Sequence, residues 1–191
     1  MIPLLRHFQE ENYGIDRETL AILEGSFEEE IILKGDYFLE QGYFCKRIAF
    51  VEKGCFAYTQ AYDGDLNTLD FALEGEWIAN IKSINDNSRS KISIQALEDA
   101  RVKFLKIHDF QLLWEKYPKI IGLRTTLVEK YFVKNNEHTR AITLLSAEAY
   151  YKKLVEESPE LVRRVPLYHL ASFLGVRPQS LSRIRKSIFN K

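Results

Sequence analysis

The sequence predicts an α+β chain. It starts with an antiparallel sandwich or barrel of short strands, continues into a long helix, and ends in a pair of helices joined by a glycine turn. Three observations predict this. Between Phe27 and Ile107 the glycines fall at 35, 42, 54, 64 and 75, with short apolar or alternating runs between them, the pattern of turn-punctuated strands. From Pro118 onward the apolar spacing becomes helical. From Leu161 to Lys191 there are seven basic residues and no acidic one, which marks the end of the chain as a unit of its own.

The elements follow in order. Leu4, Leu5, Phe8, Leu20 and Leu23 give helical spacing over Pro3–Leu23, interrupted at Gly14. The strand candidates are Glu30–Leu33, Arg47–Val51, Phe56–Tyr62, Thr68–Leu73, Lys91–Leu97 and Val102–Ile107. Asp63-Gly64 predicts a hairpin, because both residues tolerate positive φ. Lys53-Gly54 is a second, weaker hairpin signal. Lys82–Ser88 reads as a loose polar loop. Asp109 is expected to cap the next helix, and Pro118 to open a longer one, where a missing N–H costs nothing. Leu113, Tyr117, Ile120, Arg124, Leu127 and Tyr131 are spaced 4, 3, 4, 3, 4, a heptad seam with one polar member. That seam is read either as packing on the helix's own domain or as a dimer interface formed by Tyr117, Ile120, Arg124, Leu127 and Tyr131. Ala147–Glu157 is a further helix, stopped by Ser158-Pro159. Leu167–Leu174 and Gln179–Phe189 are the last two, separated by Gly175.

Composition excludes several classes. The 191 residues carry 27 basic and 27 acidic side chains. With seven basic residues in the last 31, the preceding 160 hold 20 basic and 27 acidic, so a +7 tail follows a −7 body and an anionic partner is expected for the tail. No run is apolar enough to span a membrane and no secretory leader is seen at Met1–Arg6, so the expected compartment is the cytoplasm. Cys45 and Cys55 have no metal, iron–sulfur or disulfide-framework spacing and are read as reduced thiols. His7, His108, His138 and His169 are scattered and are read as surface or capping residues. The segment from Phe27 to Ile107 has no histidine, so a metalloenzyme built in a β-barrel is excluded. No catalytic motif is present, and the chain is not read as an enzyme.

The C-terminal hairpin carries the function. Ala171 is small enough for close helix crossing, and Gly175 sits where the chain must turn with positive φ. Val176, Leu181 and Ile184 are expected inside. Gln179, Ser180, Ser182, Arg183 and Lys186 then face outward with Arg177 nearby, offering amide, hydroxyl and cationic groups to base edges and phosphates. The alternative is a β-domain ligand receptor whose hairpin meets a protein instead of DNA.

Val165-Pro166 through Arg185-Lys186 resembles the DNA-binding signature of the Crp/Fnr family of transcription regulators. Lys34-Gly35-Asp36, Val51-Glu52-Lys53-Gly54, Glu74-Gly75-Glu76 and Ile94–Asp99 resemble the turns and strands of that family's β-roll. The resemblance implies a jelly-roll-type double-stranded β-helix in 1–108, a connecting dimerisation helix in 109–140, and a winged-helix-like helix-turn-helix in 141–191, its wing short or absent because the sequence stops at Lys191. It implies a homodimer on a palindromic operator, with RNA polymerase as a further partner. By the match, Gln179, Ser182 and Arg183 contact bases, and Ser180 and Lys186 the backbone. Pro178 stands where some relatives place a base-contacting side chain. In cyclic-nucleotide-binding members a Gly-Glu pair takes the ribose and an Arg-Ser pair the phosphate. Gly75, Glu76, Arg89 and Ser90 are the matching residues, although Trp77-Ile78-Ala79-Asn80 follows where relatives have small residues. A cyclic nucleotide, another ligand in the roll, or none are the three readings this leaves. No iron–sulfur cluster is implied.

Overall fold

The computed structural model describes Leu4, His7, Phe8 and residues 14–189. The rest of the expected first helix before Gly14 lies outside the described residues. Helix α1 (Arg17–Gly25) is capped by Asp16, whose carboxylate accepts from Thr19 N at 2.9 Å. Eight strands follow: β1 (Glu28–Ile32), β2 (Tyr37–Leu39), β3 (Arg47–Lys53), β4 (Phe56–Tyr62), β5 (Asp65–Ala72), β6 (Trp77–Ile78), β7 (Ser93–Ala96) and β8 (Ala100–Lys106). They form two antiparallel sheets, ordered β1-β8-β3-β6 and β2-β7-β4-β5. Helix α2 (Ile81–Asp86) interrupts them. Helix α3 (Ile107–Lys116), a 3₁₀ turn at Pro118–Ile120, the long α4 (Ile121–Leu144), α5 (Ala147–Glu157), α6 (Pro159–Arg164), α7 (Leu167–Phe173) and α8 (Pro178–Phe189) complete the chain.

Side-chain alternation builds three hydrophobic layers. Ala49 and Val51 on β3, Phe56 and Tyr58 on β4, Ile94 and Val102 fill the space between the sheets. Ile48 and Phe50, the alternate residues of β3, pack outward with Leu23, Phe110, Ile120, Leu123 and Leu127. Cys55, Ala57 and Phe71 face outward from the second sheet and meet α5 to α8. Both faces of β3 are therefore covered, which is why it reads as a continuous apolar run rather than an alternation.

The Asp63-Gly64 hairpin is present. Tyr62 pairs with Asp65, and the two turn residues have φ +53° and +83°. Lys53-Gly54 is not a hairpin, because β3 and β4 belong to different sheets. Gly54 is instead the corner where the chain crosses between them. Its φ is +118°, and a Cβ there would lie 2.5 Å from the Ala100 Cβ. The polar 82–88 segment is not all loop. Asn80 caps α2 by accepting from Ser83 N at 3.2 Å, and Asn87 ends it with φ +44°. Asp109 lies in the first turn of α3, and the cap position is Lys106. Ser158-Pro159 ends α5 but also begins α6, since proline suits a first helical turn.

Part of the expected heptad seam is covered within the chain itself. Ile120 and Leu127 are buried in the chain's own core, and Leu113 and Tyr117 pack against it. The exposed heptad positions of α4 are Ile121, Val128, Phe132 and Ile142, with Thr125, Asn135 and Thr139 completing the 4, 3, 4, 3, 4, 3 spacing. Of the expected dimer residues, Arg124 and Tyr131 remain exposed.

Candidate nucleic-acid interface and effector cavity

Helix α7 ends in a hydrogen-bonded turn. Gly175 takes φ +67°, its N–H donates to Ser172 O at 3.0 Å, and Val176 N donates to Ala171 O at 2.9 Å, a helix stop that favours glycine. Pro178 opens α8, the position where proline is tolerated. Leu170, Ala171 and Leu181 are fully buried, and Val176, Ile184 and Ile188 pack beside them. This leaves Arg177, Gln179, Ser180, Arg183, Arg185 and Lys186 exposed on one unit. Ser182 is half-buried and its hydroxyl donates to Pro178 O at 3.0 Å, so only its lone pairs face outward. Arg185 was not singled out from the sequence. The tail's seven cations do not act alike. Arg163 pairs with Glu160, and Arg164 reaches Glu74 at 2.7 Å and Glu98 at 2.5 Å. Lys191 lies outside the described residues.

The hairpin is docked on the roll. The amide of Thr68 on β5 donates to Ser172 Oγ at 2.8 Å, and Thr68 Oγ1 lies 2.8 Å from His169 Nδ1. His138 on α4 stacks on Phe173, with ring centroids 4.0 Å apart, and bonds the Tyr150 hydroxyl at 2.9 Å. His169 and His7 are buried core residues rather than surface ones. His7 Nε2 accepts from the Trp77 indole at 3.2 Å. Burial pushes both cysteine thiols up, Cys55 to about 12, and both are free and buried.

Burial also holds His169 and His138 below the ordinary histidine value. His169 Nε2 has no hydrogen-bond partner, so a proton there would leave a buried cationic N–H without an acceptor. The unfolded chain then binds protons that the folded chain does not, and stability falls as pH drops below the ordinary 6.5. Glu74 behaves differently. Burial raises its pKa, but hydrogen bonds from Arg164 and from Gly54 N bring it to about 2. Its contribution fades only below the ordinary 4.5. Thermal scans at pH 7.5 and 5.5 are expected to show a loss of a few degrees, and His169→Gln is expected to blunt it. Equal melting at both values would contradict the histidine assignment.

The candidate ligand residues Gly75, Glu76 and Arg89 fall on two adjoining cavities, with Tyr58, Asp70, Ala79, Ile81, Tyr131 and Lys134 common to both. Gly75 and Glu76 line a cavity of about 220 Å³ with Tyr58, Trp77, Leu127 and Tyr131. Arg89 lines an adjoining cavity with Asn80, Ser88 and Lys91. Both carboxylate oxygens of Glu76 are engaged, Oε2 by Leu73 N at 2.8 Å and Oε1 by Lys134 Nζ at 2.7 Å. Arg89 turns onto Gly42 O at 2.8 Å and over the Phe44 ring at 5.4 Å. Ser90 is buried, its hydroxyl donating to Ile92 O and accepting from Asn80 Nδ2. Ile78 is fully buried in β6. These residues do not fit a cyclic nucleotide. Lys134, which occupies the middle of this region from α4, was not foreseen.

Residues 29–117 match the family model of the cyclic nucleotide-binding domain. FixK2 of Bradyrhizobium japonicum is similar in structure with a TM-score of 0.71 at 12% identity, covering 86% of this chain and 85% of its own. The c-di-GMP responsive global regulator CLP of Xanthomonas campestris gives 0.70 at 13%, covering 91% of each. The catabolite activator protein of Thermus thermophilus gives 0.56 at 20%, covering 92% and 84%. Among curated protein sequences none matches the chain. Two of these neighbours are named for regulation, one as a global regulator and one as an activator protein. No helix among the described residues is long and apolar enough to cross a membrane. A transcriptional regulator of the Crp/Fnr family from Eubacterium rectale gives 0.70 at 14%, covering 93% of this chain and 88% of its own, and with its roll of the cyclic nucleotide-binding class, long helix and C-terminal helices the chain has the fold of the Crp/Fnr-type regulators.

Proposed function

We propose that the chain is a homodimeric, sequence-specific DNA-binding regulator, with 1–108 as sensor roll, 109–140 as dimer helix and 141–191 as the DNA-binding unit. The observation that carries this is the exposed face of α8. Arg177, Gln179, Ser180, Arg183 and Lys186 stand out from a fully buried Leu181, and no acidic residue follows Glu160. Such a face grips phosphates and reads base edges in a major groove. Arg183→Ala is expected to weaken binding to an in vitro-selected operator by about 1–3 kcal/mol. It should leave the melting temperature unchanged, since Arg183 is exposed. Affinity for duplex DNA should fall steeply with salt as counterions are released. Salt-independent or absent duplex binding would favour a protein partner for the hairpin.

The proposed dimer rests on the exposed heptad row of α4. Ile121, Val128, Phe132 and Ile142 are exposed apolar residues at heptad spacing, Phe132 at 66%. A second copy covers them, and the two recognition helices then sit about 34 Å apart along the duplex. Phe132→Asp is expected to give a monomer by light scattering and to weaken operator binding. A dimer of unchanged stability would place the interface elsewhere. Calorimetry with cyclic AMP or cyclic GMP is expected to show no heat up to millimolar ligand, because Glu76 and Arg89 are already engaged within the chain.

A further inference from the structure

The cavity beside Glu76 is built around an ammonium group. Three acceptors converge on Lys134 Nζ: Phe71 O at 2.6 Å, Glu76 Oε1 at 2.7 Å and Asp70 Oδ1 at 3.3 Å. Two are carboxylates and one is a backbone carbonyl, a set that suits a primary ammonium with its three N–H donors. Tyr58, Trp77, Ile78, Leu127 and Tyr131 line the adjoining space of about 220 Å³. The side chains of Lys134 and Glu76 are 41% and 40% exposed, so the pair lies at the rim of the cavity and not in the core. The occupant is part of the chain, delivered by the same helix that carries the proposed dimer seam.

We propose that this cavity is a binding site for a small primary amine with an apolar tail, which enters in exchange for the Lys134 ammonium. The amine's cation takes the three acceptors and its tail takes the aromatic and aliphatic lining. An anion is disfavoured there, since an entering negative charge meets Asp70 and Glu76. Exchange frees α4 from the turn at Leu73–Glu76. The site stands on geometry alone, and only the effect of exchange on DNA rests on the regulator reading above. The tethered lysine competes at high effective concentration, so the site is best tested with the tether removed.

The experiment is chemical rescue of full-length Lys134→Ala. The variant is expected to melt about 3–8 °C below the parent chain. Butylammonium chloride at tens of millimolar should restore most of that loss, while sodium chloride and butanol at the same concentrations should not. Rescue should vanish when Glu76→Gln and Asp70→Asn are added. Lys134→Met, which fills the space, serves as a folded control with no amine response. Should Lys134→Ala fold poorly alone, refolding in butylammonium must recover it. No recovery, or equal recovery with butanol, overturns the site. Operator affinity is measured on the same samples. Rescue of melting with unchanged DNA affinity keeps the amine site and rejects the sensor role of the roll, so the two failures are told apart.

Discussion

Leu181→Ala is expected to destabilise the C-terminal helices by about 2–5 kcal/mol, the range for truncating an enclosed leucine. Leu181 is 0% exposed and sits in one cluster with Tyr151, Leu154, Leu161, Leu170, Ala171 and Leu174. With Ile184 and Ile188 it packs α8 against α5 and α7, and its loss is expected to affect the placement of the cations that α8 exposes. Denaturant unfolding should show the loss, and operator binding should disappear with it. The contrast with Arg183→Ala is the informative part. One variant loses binding through folding, the other with the fold intact. A Leu181→Ala protein with unaltered stability and DNA affinity would mean that α8 is not held by this cluster.

Gly54→Ala is the second large effect. The glycine has φ +118°, which side chains rarely adopt, and the added Cβ would meet the Ala100 Cβ at 2.5 Å and its Cα at 2.8 Å. Neither contact is the end of a flexible side chain, so backbone must move. Strain and overlap together should cost about 2–5 kcal/mol, or roughly 5–15 °C in melting temperature for a chain of this size. Gly64→Ala is the matched control. Its φ is +83° but the space around it is open, so only the backbone cost of about 1 kcal/mol applies. If both variants melt alike, the close approach at Ala100 is not the reason for glycine at 54.

Much of this architecture is legible in residue order, and the exceptions have physical causes. Ala147–Glu157 and the glycine stop at 175 follow from helical spacing and local turn chemistry, which act within a few residues. Gly54 was misread because a turn signal does not say whether the next strand returns to the same sheet. Which face of α4 the chain covers is not legible in its sequence, because both faces of that helix are apolar and only the packed roll decides between them. Tyr117, Ile120 and Leu127 go to the chain's own core and leave Ile121, Val128 and Phe132 outside. The exposed polar and cationic face around α8 is legible because its residues lie within ten positions of one another. Lys134 was not, since Phe71 and Glu76 lie 63 and 58 residues before it. Arg164 and Glu74 are 90 apart, and no local pattern announces such a pair.

The bond from the Thr68 amide to the Ser172 hydroxyl has a consequence for solubility. Strand β5 is the last in its sheet, bonded to β4 on one side only. The other side of such a strand carries unpaired backbone donors and acceptors, a template on which a second chain can add. At Thr68 that vacancy is filled from within, by a side chain of α7. Lifting α7 from the roll would therefore uncover a free sheet edge. The Ser172 hydroxyl thus covers one donor of an edge that is otherwise open to sheet extension.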